Sequence, residues 1–97
     1  MQITINMTFV EMEVGRYALR IAQEENTGPF VEVLAGAENR LYGACRELDR
    51  RVAEEFESEF ASVPVEMELE EFGALRFALP SQTDLLKRLR ALPSIAV

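Results

Sequence analysis

Hydrophobic and polar residues alternate strictly at the start of the chain: Ile3, Ile5, Met7 and Phe9 share one face, and Gln2, Thr4, Asn6 and Thr8 the other. A period of two predicts a half-buried strand. The parity then flips, with Val10, Met12 and Val14 apolar between Glu11 and Glu13, which a strand accommodates through a β-bulge at Phe9-Val10. Gly15-Arg16 fits a two-residue type II′ turn, because glycine supplies the positive φ needed at its first central position. The resulting hairpin sets Val14 opposite Tyr17, Met12 opposite Leu19 and Glu11 opposite Arg20, so apolar meets apolar and acid meets base.

A second hairpin follows from the same test. With Glu71-Phe72-Gly73 as a three-residue loop, Leu69 faces Leu75, Met67 faces Phe77, Val65 faces Leu79 and Glu68 faces Arg76. Glu66, Glu68 and Glu70 then line the outer face. Ser81 and Asp84 form an S-x-x-D pattern that suits a helix N-terminus. Leu85, Leu86, Leu89 and Leu92 make the apolar stripe of that helix, and Pro93 ends it.

Between the hairpins, Leu41, Cys45, Leu48, Val52 and Phe56 recur at helical spacing, with Glu47 to Arg51 and Arg50 to Glu54 as i,i+4 pairs beside them. This predicts a helix over residues 37–61. Phe30, Leu34, Ala37 and Leu41 keep the same period. A helix from 29 to 61 would, however, run about 50 Å at 1.5 Å per residue, against a domain diameter of roughly 30 Å. Residues 29–34 are therefore assigned to a strand. The expected fold is α+β in two layers: an antiparallel sheet of four or five strands, ordered β-β-(β)-α-β-β-α, on one long and one short helix. No repeat or linker divides the chain, which predicts a single domain over residues 1–97.

Composition agrees with a small globular domain, at 48% hydrophobic and 28% charged residues. The apolar runs are too short for a membrane span, and the first residues have neither the basic nor the apolar region of a signal peptide. With one cysteine and so no internal disulfide, the expected compartment is the cytoplasm.

Charge is the uneven property. The segment from Val52 to Leu75 has eight glutamates, Glu54, Glu55, Glu57, Glu59, Glu66, Glu68, Glu70 and Glu71, and no cation. It therefore carries −8 where the chain carries −7, and the remainder balances to +1. Four of these acids crowd the end of the long helix, where the macrodipole disfavours anions. A cost of that kind without a local gain points to a binding surface.

Histidine is absent, which removes the commonest general base, the commonest metal ligand and the usual triads. Cys45 lies in the helix stripe and reads as an inert core residue. The glycines form no phosphate-binding loop and the acids no EF-hand spacing. No cofactor, metal or catalytic residue is expected, and the alternating glutamates are what a half-solvated strand presents. The expected function is a non-catalytic acidic protein-interaction module that docks on a basic partner protein, as an inhibitor or regulator or even as a nucleic-acid mimic. The eight glutamates are its candidate partner-binding residues. Direct nucleic-acid binding is disfavoured because phosphate is repelled by −8. The second reading is a homo-oligomer built from strand edges and the cationic Lys87-Arg88-Arg90 helix, and the third a small carboxylate-dependent enzyme.

Overall fold

The computed structural model describes residues 1–55, 58 and 60–91. Its elements are β1 (Gln2–Thr8), α1 (Phe9–Glu25), α2 (Pro29–Glu55), β2 (Ser62–Glu68), α3 (Leu69–Ala78) and α4 (Asp84–Arg90). The expected sheet of four or five strands is not present. Only the opening parts of the two expected hairpins are strand, and they pair antiparallel with each other, Ile5 opposite Val65. From Phe9 and from Leu69 onward, the rest of each first strand, its turn and its second strand enter a helix.

The cause lies at the two strand ends. Glu11 N donates to Thr8 Oγ1 at 3.3 Å and Thr8 N donates to Glu11 Oε1 at 2.9 Å, a reciprocal capping box that starts α1. Glu71 Oε1 likewise accepts from Glu68 N at 2.7 Å at the start of α3. The parity flip at Phe9-Val10 is thus a strand running straight into a helix. Met12 is buried, and Val10 lies on the far face of α1.

Neither Gly15 nor Gly73 is in a turn, since both lie inside helices. Gly15 instead marks a close helix crossing, where an added Cβ would stand 2.8 Å from Leu41 Cδ1 and 3.2 Å from Leu75 Cδ1. Among the described residues the one glycine with positive φ is Gly28, at 82°, in the link between α1 and α2.

Residues 29–34 are helical, not extended, because Pro29 opens α2 at the position its fixed φ suits. Leu34, Ala37 and Leu41 keep the helical period and are fully buried. The length objection fails on shape: 27 residues span about 40 Å, and the molecule measures 41 × 29 × 27 Å. α2 is its long axis. That helix is described to Glu55 and does not reach residue 61, since Ser58, Phe60 and Ala61 are not helical; Phe56, Glu57 and Glu59 lie outside the described residues. Thr83, not Ser81, occupies the N-cap of α4. Leu85, Leu86 and Leu89 are buried as expected, while Leu92 and Pro93 lie outside the described residues.

Against the expectation that the chain has no repeat, the register exposes a strand-helix unit that occurs twice. Partners across the sheet sum to 70, as in Gln2 with Glu68 and Thr8 with Ser62. Equivalent positions of the two strand-helix units differ by 60, as in Met7 and Met67, Glu11 and Glu71, and Arg16-Tyr17-Ala18-Leu19 and Arg76-Phe77-Ala78-Leu79. Ile5 and Val65 satisfy both relations, so a local twofold axis passes between them. Side chains at 3, 5 and 7 and at 63, 65 and 67 turn towards the helices, and all but the partly covered Ile3 are buried there.

The core draws on all six elements and, among the described residues, contains no buried polar or charged side chain. Leu69 N donates to Met1 O at 3.0 Å, which fixes the odd-numbered residues of β1 and β2 as the hydrogen-bonded pairs. Even-numbered backbone groups therefore face the outer edges. On β1, Arg88 of α4 donates to Asn6 O at 3.1 Å. On β2, Pro64 has no N–H to offer. Both devices blunt an edge against further strands. Among the described residues no helix is long and apolar enough to cross a membrane.

Candidate functional site

The glutamates singled out by charge do not form one surface. Glu54 and Glu55 sit at the end of α2, where Arg50 meets them at 3.0 and 3.3 Å. Glu57 and Glu59 lie outside the described residues. Glu66 is exposed on the open face of the sheet and Glu70 in the first turn of α3. Glu68, at the strand-helix junction, accepts from Gln2 Nε2 at 3.2 Å, and that bond holds its carboxyl below the usual carboxylate range. Glu71 completes the α3 cap and pairs with Arg40 at 3.2 Å. Acids at an N-terminal turn also gain from the helix dipole. Several of these carboxylates thus have local structural work, and Glu66 and Glu70 remain the free ones among those described.

A different feature emerges on α1. Its inner stripe, Met12, Gly15, Leu19 and Ala22, is buried. A second apolar stripe, Val10, Val14, Tyr17 and Ile21, repeats at 4-3-4 spacing on the outer side and stays exposed, Tyr17 at 70%. This is the spacing of a helix seam that packs against another helix. No element of the described chain covers it.

Beside this stripe runs a groove of about 630 Å³ between α1, the end of α3 and the loop that leads to α4. Buried Ala18 and Ala22 contribute from α1, and Phe77, Ala78 and Pro80 form the opposite wall. Phe77 is 61% exposed although Phe30 braces its ring edge-on at 5.2 Å. Tyr17 and Phe77 are repeat-equivalent, so the local symmetry sets an aromatic on either side of one groove. The charged residues that line it are both acids, Glu13 and Glu25. Glu13 pairs with Arg16 at 3.0 Å. Glu25 has no ion-pair partner among the described residues, and the last turn of α1 has no basic residue.

Chemistry finds little purchase here. Cys45 Sγ donates to Glu13 Oε1 at 3.5 Å, and burial first, then that carboxylate, pushes the thiol up to about 11. Such a sulfur stays protonated and is a poor nucleophile at neutral pH. Arg16 lies over the Tyr42 ring at 4.9 Å and Arg46 at 5.8 Å, a cation–π arrangement that holds α1 to α2. Among the described residues no group of three His, Cys, Asp or Glu side chains could hold a metal ion. What the groove can do is bury apolar surface.

The sequence reading missed the groove because it made β-strand of residues 10–20. Two signals were present: the 4-3-4 spacing of Val10, Val14, Tyr17 and Ile21, and the recurrence of Arg-aromatic-Ala-Leu sixty residues later. No family model, curated protein or solved structure matches the chain.

Proposed function

We propose that the protein is a non-catalytic interaction module that docks on a basic partner protein and acts as an inhibitor or regulator by covering part of that partner's surface. The observation that carries this reading is the pair Tyr17 and Phe77, two large side chains more than half exposed across one apolar groove. Exposed aromatics that converge on a concave apolar surface are typical anchors of protein interfaces. The basic character of the partner rests on charge: the chain carries −7, and acids alone supply the charged groups of the groove lining. Groove and charge have separate roles. The free carboxylates, Glu66 and Glu70 included, steer a cationic surface during approach, and the groove anchors it.

Affinity capture from cell extract tests this with three proteins in parallel: wild type, Tyr17→Ala/Phe77→Ala, and Glu66→Lys/Glu70→Lys. A basic protein is expected on the wild type, to dissociate faster from the aromatic double variant, and to associate more slowly with the charge-reversed one, with higher salt mimicking the latter effect. A captured partner that is acidic, or that binds the aromatic variant unchanged, would overturn the reading.

A further inference from the structure

We infer that the groove takes a single amphipathic helix of the partner, antiparallel to α1, with Lys or Arg in the N-terminal turn of that helix. The inference rests on the reading above and adds the shape and polarity of the ligand. Three features of α1 lead to it. The outer stripe of Val10, Val14, Tyr17 and Ile21 has the 4-3-4 spacing that meshes with a second helix at a shallow crossing angle, whereas an extended peptide presents a period of two. Small side chains, Ala18, Ala22 and Ala78, line the groove, and they let a helix backbone approach closely. From Glu13 to Glu25 the groove follows α1 through twelve residue-to-residue steps, about 18 Å or a little over three helical turns.

Charge sets the direction. α1 ends on Glu24 and Glu25 with no cation in its last turn, so two carboxylates add to the negative end of the helix dipole. A docked helix places its positive N-terminal end there only when it runs antiparallel, and basic side chains in that turn strengthen the match. At the other end Glu13 is already engaged by Arg16. The demand for a cation is therefore concentrated at the Glu25 end.

Synthetic peptides of about 15 residues, enough to span the groove as a helix, provide the test. One has an amphipathic Leu/Ala face with Lys in its first turn; a second replaces those Lys residues by Glu; a third keeps the Lys residues but has two central prolines. Titration of the whole chain should show the first binding at least about tenfold tighter than the second, and the third not at all. Glu24→Gln/Glu25→Gln should abolish the preference for Lys over Glu, and Tyr17→Ala should weaken both helical peptides. Equal binding of the Lys and Glu peptides would overturn the polarity. Equal binding of the proline peptide would overturn the helix and leave the interaction reading standing. If no peptide binds while the chain dimerises in a Tyr17-dependent way, the occupant is a second copy and the inference falls. It falls too if no peptide binds a natively folded monomer.

Discussion

Leu41 of α2 lies against Gly15 of α1 so closely that a β-carbon on the glycine would be 2.8 Å from the leucine Cδ1. Leu75 of α3 closes on the same point from another side, at 3.2 Å. Glycine is normally a poor helix residue, yet here its lack of a side chain is what allows three helices to meet.

Gly15→Ala should therefore destabilise the protein by about 1 to 3 kcal/mol through overpacking, although alanine is the better helix former. Gly73, also helical, has open space around its Cα, and Gly73→Ala should stabilise by about 0.5 to 1 kcal/mol. Urea melts of the two variants decide it. Equal signs would remove the crossing as the reason for Gly15.

Local period was legible where one side chain face was tested by burial on one side only. Alternation does mark strands over residues 2–8 and 62–68, but both were expected to run on, to Val14 and to Glu70, and Phe9, expected on the core face, opens α1 and is exposed. The Leu41-Cys45-Leu48 stripe is buried on a helix as its spacing predicts. The ion pairs Glu47 with Arg51 and Arg50 with Glu54 also form. The failures share one cause. α1 is apolar on two sides, and Val10, Met12 and Val14, which belong to opposite faces of a helix, imitate the alternation of a strand. The same ambiguity turned α3 into a strand. The T-x-x-E pattern of Thr8 and Glu11 would have resolved the first, since it marks where period two must stop. Glu68 is not an ordinary capping residue, so the start of α3 has no such mark. The acidic segment was legible as composition but not as a surface, because Gln2 and Arg40, the partners of Glu68 and Glu71, come from elsewhere in the fold.

The two caps give a contrast with the sequence pattern around Ser81. Thr8→Ala removes the acceptor for Glu11 N and should cost about 1 kcal/mol. Ser81 lies outside α4, and its hydroxyl meets only Gln82, so Ser81→Ala should change stability by less than about 0.5 kcal/mol. Thermal and urea unfolding of both variants check the difference. A larger loss at Ser81 would restore it as the start of α4.

Acid stability should show the Glu47 network. Hydrogen bonds from Arg50, then Arg51, hold the Glu47 carboxyl at about 2 against an ordinary 4.5. A folded-state value below the unfolded one means a contribution present above about pH 4.5 and lost as the pH falls towards 2. The pair is solvent-exposed, so the effect is small. Urea midpoints measured across that window should fall less steeply with acid for Glu47→Gln than for the wild type. Parallel curves would show that the network adds nothing to folding.

Cys45 reports whether α1 and α2 stay closed on each other. Its thiol is buried between them and bonded to Glu13, which with burial raises it from 9.0 to about 11. Because the folded value lies above the unfolded one, the associated stability is complete below about pH 9 and is lost as the pH rises to about 11. At pH 8 a thiol reagent should therefore modify the native protein at least about a hundredfold more slowly than the urea-unfolded chain, from the smaller thiolate fraction and from shielding together. Glu13→Gln should recover only part of that difference, since burial is the larger cause. Reaction of the native protein at the unfolded rate would mean that the helix pair opens freely, and a groove built on α1 could not then be a preformed site.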